Sequence, residues 1–300
     1  MKKKQRKSIC AILGRPVLHI FMIALSLTFI IPLVMMISIS LSDESAVREL
    51  GYSILPRGFS TDAYKMIFTN PKQILDAYKV TVAYSLLSTV LSLIVQGLIA
   101  YPISRNNYKF KTVLRVFLLI PMFFSGGMVA NYIVKTQYYH LGNTFWIYIF
   151  PFLVNSMFVF MFVSFYRDLP DGIIEAAQLD GADEWATFGY VVVPLTVPII
   201  STLGFMTLMS RWQDWNTALL YIRDTELFSL QYLLQKILNE ADYITKMQEG
   251  TGSSLLSSSS IPTETMRYAM AVIAAGPMMI IFPVFQKYLS KGITIGAVKG

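Results

Sequence analysis

The residues best suited to chemistry lie in one short polar segment between two apolar stretches, Glu175-Ala176-Ala177-Gln178-Leu179-Asp180-Gly181-Ala182. Glu175 offers a charge for pairing with a partner, and the paired alanines let another backbone approach closely. Gly181 permits the sharp turn that ends a helix, because glycine adopts backbone conformations that other residues avoid. The segment therefore predicts a short docking helix, with Asp183 as the N-cap of the next helical stretch.

No recognisable catalytic motif accompanies this segment. The sequence contains no glycine-rich phosphate loop ending in Gly-Lys-Ser/Thr, no His-Glu-x-x-His motif and no nucleophile elbow. His19 and His140 have no carboxylate or cysteine at ligand spacing, and the single cysteine, Cys10, excludes an intrachain disulfide. We predict a protein that is not an enzyme, binds no metal or cofactor and does not hydrolyse ATP itself.

The composition indicates a membrane protein. Of the 300 residues, 54% are hydrophobic and only 14% are charged, against about 25% charged in an average soluble domain. The mean hydropathy is +0.53. The net charge of +7 arises from basic residues at the ends of apolar runs. That placement orients a protein in a membrane and argues against nucleic acid as a partner.

Six apolar segments are long enough to cross a membrane, which takes about 20 residues. They are 17–40, 79–103, 113–134, 144–166, 191–211 and 266–287. The first is longer than the apolar core of a signal peptide, so we predict an uncleaved span. The predicted fold class is all-α and integral to the membrane, with six transmembrane helices in a single domain over 1–300.

Basic residues in the short loops alternate between the two predicted sides of the membrane. This bias places both termini in the cytoplasm, together with the turn that holds Arg105 and Lys109. The loop 167–189 departs from the pattern, because it holds six acidic residues and Arg167 as its only basic one. We expect this loop to form a negative cytoplasmic surface that is kept for a partner.

The cytoplasmic coupling loop of ABC importer permeases is similar to the string EAAQLDGADEWATFGYVVVPLTVP. The family pattern is Glu-Ala-Ala, three residues, Gly, nine residues, an aliphatic residue, one more and an aliphatic-Pro pair. Val191 and Val193 fill the aliphatic places. The resemblance implies the MetI-like importer permease fold, with a coupling loop at 167–190 that fits a cleft on an ATPase. The implied coupling residues are Glu175, Ala176, Ala177, Asp180, Gly181 and Ala182. The plainer alternative is an amphipathic connector.

The C-terminal tail, 288–300, resembles the ending of carbohydrate-importer permeases, which finish in Gly-Ala-Val-Lys-Gly or close variants. The resemblance implies a tail that reaches the ATPase dimer, and its small, uncharged stretch predicts an extended segment. The implied contact residues are Lys291, Gly292, Gly296, Lys299 and Gly300. A solvated basic tail is the plainer interpretation.

Candidate substrate-path residues follow the fifth predicted span. Trp212, Trp215 and Asn216 resemble an aromatic-Asn segment that can face the substrate in sugar permeases. Indole rings stack on the C–H faces of sugars, and amides hydrogen-bond their hydroxyls. The alternative is a tryptophan anchor at the membrane interface. Asn155 in the fourth span is a further candidate, although a buried amide that joins two helices is the plainer account.

Two external segments, Tyr52–Tyr64 and Ile261–Thr265, resemble oligosaccharide permeases. The implied partners are a second permease in a heterodimer, with a homodimer as the alternative, two cytoplasmic ABC ATPases, an extracytoplasmic solute-binding protein, an oligosaccharide and membrane lipid. The implied localisation is the inner (cytoplasmic) membrane.

Three other functions stay open: import of a non-sugar solute, ion-coupled secondary transport and a non-transporting scaffold. The central parts of the predicted spans lack Asp and Glu, which argues against ion coupling, because such carboxylates mark ion pathways.

Overall fold

The computed structural model describes residues 9–250 and 263–297, where the regular secondary structure is helical apart from one isolated bridge between Ser42 and Phe59. The α-helices are α1 (Ile9–Ser40), α2 (Glu44–Leu50), α3 (Asp62–Ile67), α4 (Pro71–Ser104), α5 (Lys111–Phe123), α6 (Gly127–Ile133), α7 (Ser156–Arg167), α8 (Asp171–Leu179), α9 (Glu184–Ala186), α10 (Val193–Leu195), α11 (Val197–Trp212), α12 (Asn216–Tyr221), α13 (Leu230–Gly250) and α14 (Thr263–Ala297). π-Helical turns cover Val134–Tyr138 and Thr187–Val192, and short 3-10 helices cover Phe145–Tyr148, Phe150–Phe152 and Thr225–Leu227. The predicted all-α class is confirmed.

Three predicted spans correspond to continuous helices that are long and apolar enough to cross a membrane: Pro16–Ser40, Pro71–Ser104 and Thr263–Pro283. The other three correspond to pairs of helices that bend at a short break. These pairs are Lys111–Phe123 with Gly127–Tyr138 (117°), Phe145–Phe152 with Ser156–Arg167 (47°), and Glu184–Leu195 with Val197–Trp212 (77°). Within the described ranges the chain thus has three candidate spans, or up to six if each bent pair is one span.

Two of the breaks fall where the sequence interrupts a helix. α5 ends two residues after Pro121, and Gly127 then has a φ of 78°, which only glycine adopts readily. Pro198 lies in the first turn of α11, where its missing N–H would have no intrahelical partner. Each break exposes backbone groups that only protein or a water-lined cavity can satisfy within a membrane.

The expectation that Asn155 is buried and joins two helices is wrong. The residue is exposed and is the N-cap of α7, where its side-chain oxygen accepts hydrogen bonds from the N–H groups of Met157 (3.0 Å) and Phe158 (3.3 Å). The first N–H groups of a helix have no intrahelical acceptor. The break in the fourth span creates such an end, and the amide side chain satisfies it.

The chain forms two compact units. Of the described residues, one unit contains 9–69, 237–250 and 263–275, and the other contains 70–236 and 276–297. In the second unit, α4 packs against α7 and α11. Their fully buried core includes Ala100, Ile103, Val159, Phe162 and Leu203.

Two glycines let the helices of this core approach closely. A Cβ on Gly97 of α4 would lie 3.2 Å from the hydroxyl oxygen of Tyr166 on α7. A Cβ on Gly204 of α11 would lie 3.1 Å from Leu93 of α4. Small residues at helix contacts are the usual solution in membranes, where packing replaces the hydrophobic effect as the force between helices.

In the first unit, the buried carboxylate of Glu44 holds the first turn of α14. It accepts hydrogen bonds from the backbone N–H of Glu264 (3.1 Å), and from the backbone N–H and the hydroxyl of Thr265 (2.9 Å each). Arg48 pairs with Glu44 at 2.9 Å and donates to the hydroxyl of Thr263 at 3.0 Å. This contact of Glu44 and Arg48 with the start of α14, here called the clasp, provides acceptors for N–H groups that have none within the helix.

Two titratable groups beside the clasp respond to local hydrogen bonds. The Ser45 hydroxyl and the Ala46 N–H donate to Asp43 and hold the pKa of that carboxyl below its usual value. Hydrogen bonding with Tyr268, followed by burial, raises the pKa of Tyr52 to about 12. The carboxylate of Asp43 is the N-cap of α2, so the first long loop is ordered by its own side chains.

The last helix is longer than the predicted span. α14 continues through Ala297, so the extended conformation expected for the tail is wrong over Lys291–Ala297, which is helical. Single glycines such as Gly292 and Gly296 weaken a helix by only about 1 kcal/mol each relative to alanine and do not stop it. The last three tail residues, including Lys299 and Gly300, lie outside the described residues.

Candidate functional site

The 167–190 loop ends its first helix in a Schellman motif. α8 ends at Leu179, and Gly181 takes a φ of 90°. The N–H of Gly181 donates to the carbonyl of Gln178 (3.1 Å), and the N–H of Ala182 donates to that of Ala177 (3.0 Å). This pair of bonds satisfies carbonyls left free at a helix end and requires the left-handed backbone of Gly181. The predicted helix and turn are therefore both present.

The outer face of this loop carries both polar side chains and large apolar ones. Ile174 is buried and fixes the inner face of α8, while Glu175 and Ala176 are exposed. Large apolar side chains also face outward, with Leu179 88% exposed and Tyr190 86% exposed. Exposed apolar groups among acidic residues are typical of a protein-docking surface.

A hydrogen-bonded contact ties this loop to the end of α4. The hydroxyl of Tyr101 donates to one carboxylate oxygen of Glu184 at 2.7 Å, and the amide of Gln178 donates to the other at 3.2 Å. Arg105 lies 4.7 Å from the centre of the Tyr101 ring. Glu184 therefore joins α8, α9 and α4, which are separated along the chain but meet at this point.

An aromatic contact reinforces this junction. The ring of Phe188 lies 5.1 Å from that of Tyr101 and 6.4 Å from that of Tyr166 on α7. Asp183 caps α9 as predicted, by accepting from the N–H of Ala186 at 2.7 Å. The loop is thus in direct contact with α4 and α7. The sequence alone does not indicate that Tyr101 belongs to this site, because its partner Glu184 is 83 residues away.

The candidate substrate-path residues differ in their exposure. Trp212 is only 3% exposed and packs near the ring of Tyr78, whose centre is 6.4 Å away. Trp215 is 46% exposed and Asn216 is exposed at the start of α12. Asn155 borders an apolar cavity of about 780 Å³ between α4, α5 and α7. Only Trp215, Asn216 and Asn155 therefore present surface to a ligand.

A charged cluster that the sequence did not indicate lies at the end of α11. Arg211 pairs with Asp214 at 3.2 Å, and its guanidinium carbon lies 3.7 Å from the centre of the Phe152 ring. The ammonium of Lys135 lies 5.5 Å from the centre of the same ring and 5.2 Å from that of Tyr221. Three chain segments thus bring two cations onto one phenyl ring.

Two stacked tyrosines support the cluster. Tyr84 and Tyr148 are fully buried with ring centres 4.3 Å apart, and the Tyr84 hydroxyl donates to the carbonyl of Arg211 at 3.0 Å. The Tyr148 hydroxyl donates to the carbonyl of Leu227 at 2.9 Å. Among the residues that the model describes, no group of three or more His, Cys, Asp or Glu side chains could hold a metal ion.

Apolar helices long enough to cross a membrane, together with an exposed loop that holds a short helix and a glycine turn, are features of a membrane permease component. The chain belongs to the family of binding-protein-dependent transport system inner membrane components, whose model matches residues 94–295. It is therefore the permease subunit of an ABC importer and not an enzyme. Members of this class work in general with a partner permease, ATPase subunits and a solute-binding protein. Membership also sets aside the ion-coupled and scaffold alternatives.

Similar proteins cover nearly the whole chain. The polygalacturonan/rhamnogalacturonan transport system permease protein YtcP of Bacillus subtilis (strain 168) is 28% identical over 280 residues, which are 93% of this chain and 96% of that protein. Protein LplC of the same organism is 30% identical over 271 residues, 90% of each chain. The arabinooligosaccharides transport system permease protein AraQ, also from that organism, is 27% identical over 95% of this chain and 96% of its own.

A solved structure has the same fold. It belongs to a bacterial ABC transporter involved in the import of the acidic polysaccharide alginate, and the match has a TM-score of 0.73 with 24% identity. The match covers 96% of this chain and 99% of the other. The predicted MetI-like importer permease fold is confirmed.

Proposed function

We propose that this permease imports an oligosaccharide, as one half of a heterodimer that works with two cytoplasmic ATPases and an extracytoplasmic solute-binding protein. The observation that carries the proposal is the full-length similarity to permeases named for polygalacturonan/rhamnogalacturonan and arabinooligosaccharide transport. The C-terminal ending Gly-Ala-Val-Lys-Gly supports the same class of substrate. The saccharides in the names of these relatives include both acidic and neutral ones, so similarity leaves the charge of the substrate open.

In this proposal the 167–190 loop receives force from the ATPase. The residues that meet the ATPase are Glu175, Ala176, Ala177, Asp180, Gly181 and Ala182, together with exposed Leu179. Closure of the ATPases pushes α8, and the Tyr101–Glu184 contact passes the movement to α4. Two rigid arrangements of one bundle then suffice for alternating access. The tail, from Lys291 onward, makes a second ATPase contact.

The test is uptake by the complete importer. The chain is co-expressed with a partner permease, ATPases and a solute-binding protein from the same organism, and the complex is reconstituted in liposomes. We expect ATP-dependent accumulation of a labelled oligosaccharide and none of a labelled amino acid or dipeptide. Accumulation of the amino acid or dipeptide alone would replace this proposal with the non-sugar alternative.

The proposed orientation has its own test. Cys10 is replaced by serine, and a single cysteine is introduced by Asp180→Cys or by Ser53→Cys, both at exposed or half-exposed positions. With both termini and the 167–190 loop in the cytoplasm, a membrane-impermeant thiol reagent should label Ser53→Cys in intact cells. Labelling of Asp180→Cys should require disrupted cells. The reverse pattern would contradict the orientation.

A further inference from the structure

The cluster around Phe152 carries more positive than negative charge. Lys135 lies on the π-helical turn after α6, Phe152 precedes α7, and Arg211 is in the last turn of α11. Asp214 is the carboxylate paired with Arg211. Two cations and one anion leave a net charge of +1 at this end of the second unit.

The carboxylate of Asp214 already has partners within the protein. Besides its 3.2 Å contact with Arg211, it accepts hydrogen bonds from the hydroxyl of Thr217 (2.7 Å) and from the Thr217 backbone N–H (3.0 Å). It thereby accepts from the first turn of α12 while it pairs with Arg211. Asp214 therefore makes its direct contacts with Arg211 and Thr217, whereas Lys135 feels it only as a more distant charge.

Lys135 contacts aromatic faces but no carboxylate. Across the described residues, no carboxylate oxygen lies within 4.0 Å of its ammonium group. The faces of Phe152 and Tyr221 attract the charge but do not accept the three N–H donors of a lysine. The side chain is half-buried, so the arrangement keeps a cation partly desolvated with its donors free.

Lys135 directly follows the third predicted span, 113–134, in the second helix of a bent pair. A cation that is partly buried there without a paired carboxylate is costly to keep, and it is suited to binding an anionic group. The surroundings determine the substrate chemistry. The ring of Phe152 and the stacked pair Tyr132–Tyr221, with ring centres 5.6 Å apart, provide flat apolar faces of the kind that pack against sugar rings. An ammonium beside such faces matches a sugar that bears a carboxylate, because charged hydrogen bonds are the strong ones.

We infer that Lys135 binds the carboxylate of an acidic sugar, which makes the substrate a uronate-containing oligosaccharide. This inference rests on the proposed function and adds the charge of the substrate to it. Arg211 and Asp214 position the Phe152 ring and supply no free charge. The exposed Trp215 belongs to the same end of the second unit, since it lies three residues after the end of α11.

The experiment compares acidic and neutral probes in the reconstituted importer with its binding protein. The probes are labelled trigalacturonate and labelled neutral galactotriose, and the variants are Lys135→Gln and Lys135→Arg. A matched control is Lys236→Gln, because Lys236 is also a half-buried lysine over a phenyl ring, 5.2 Å from the centre of Phe228. Thermal unfolding of each purified complex shows whether the variant is folded.

We expect the wild type to take up trigalacturonate. Lys135→Gln should raise its half-saturating concentration about tenfold or more, as expected for the loss of one charged hydrogen bond. Lys135→Arg should recover most of the affinity, and Lys236→Gln should behave as the wild type. Any uptake of galactotriose should be unaffected by Lys135→Gln, which separates recognition from a purely structural role.

Three outcomes would overturn the inference. These are uptake of galactotriose but not trigalacturonate by the wild type, an equal loss for both probes in folded Lys135→Gln, and unchanged trigalacturonate uptake in that variant. Absence of any saccharide uptake by the wild type would instead refute the proposed function, and the inference would fall with it.

Discussion

The hydroxyl of Tyr101 and the carboxylate of Glu184 are joined by a 2.7 Å hydrogen bond across 83 residues of chain. Tyr101 belongs to the longest candidate span, α4, whereas Glu184 belongs to the loop that faces the ATPase in our proposal. In our proposal the bond connects the loop that binds the ATPase with a helix that moves during transport. Its strength should therefore affect coupling more than folding.

Replacing Tyr101 by phenylalanine tests this connection. Tyr101→Phe keeps the ring and its contact with Phe188 but removes the hydroxyl, so Glu184 loses its shorter hydrogen bond. We expect transport to fall severalfold while the complex assembles normally, since one charged hydrogen bond contributes roughly 1.5–3 kcal/mol. Uptake per ATP hydrolysed is the measurement. Tyr108→Phe is the control, and an equal effect of both changes would argue against a special role for Tyr101.

Gly181→Val should abolish transport while the protein stays in the membrane. A non-glycine residue at a φ of 90° is strained by about 1–2 kcal/mol, and the Schellman turn would shift to relieve it. Gly51→Val introduces similar strain at a φ of 73°, with equally open space around the new side chain, but outside the loop. Co-purification of the ATPase and uptake are measured for both. Normal uptake by Gly181→Val would contradict the docking role.

Removal of the tail from Gly292 to Gly300 should weaken ATPase coupling. In our proposal this segment contacts the ATPase dimer, so its loss removes binding surface for the ATPase. The expected result is reduced stimulation of ATP hydrolysis by the loaded binding protein. A chain that ends at Val298 serves as a milder comparison. Unchanged uptake after the longer deletion would refute the tail contact.

The two tryptophans of the substrate-path segment should respond in opposite ways. Trp212→Ala removes a buried indole and should lower the unfolding free energy by about 3–5 kcal/mol. Trp215→Ala removes a half-exposed ring and should leave stability within about 0.5 kcal/mol. Only Trp215→Ala should raise the half-saturating substrate concentration in a fully folded complex. Thermal unfolding and uptake curves, measured on both variants, separate the two effects.

Glu44→Ala should open the clasp at the start of α14. It leaves the N–H groups of Glu264 and Thr265 without their acceptor and Arg48 without its partner. We expect a stability loss on the order of 1.5–3 kcal/mol. Glu49→Ala, in the same helix but exposed, is the control. Equal unfolding temperatures for the two variants would show that the clasp contributes nothing measurable.

For several parts of the molecule, the local pattern of residues was sufficient to predict the structure. The apolar runs predicted the helical class, and the Glu-Ala-Ala segment predicted α8 together with its glycine turn. Asp183 was correctly predicted as a cap, because caps depend on neighbouring residues. The errors arose where an outcome depends on the exact place at which a helix breaks or stops. Asn155 became a cap when its span divided, and the tail stayed helical through Ala297 despite its glycines.

What the sequence determined by itself was the membrane class, the helical fold class and the short helix with its glycine turn in the 167–190 loop. These follow from composition and from contacts between residues close in the chain. The tertiary structure alone decided that Tyr101 meets Glu184 and that Lys135 and Arg211 share the ring of Phe152. Such contacts join residues that are tens of positions apart, and their pairing depends on how the helices bend and pack. A linear pattern with a short period carries no information about that packing.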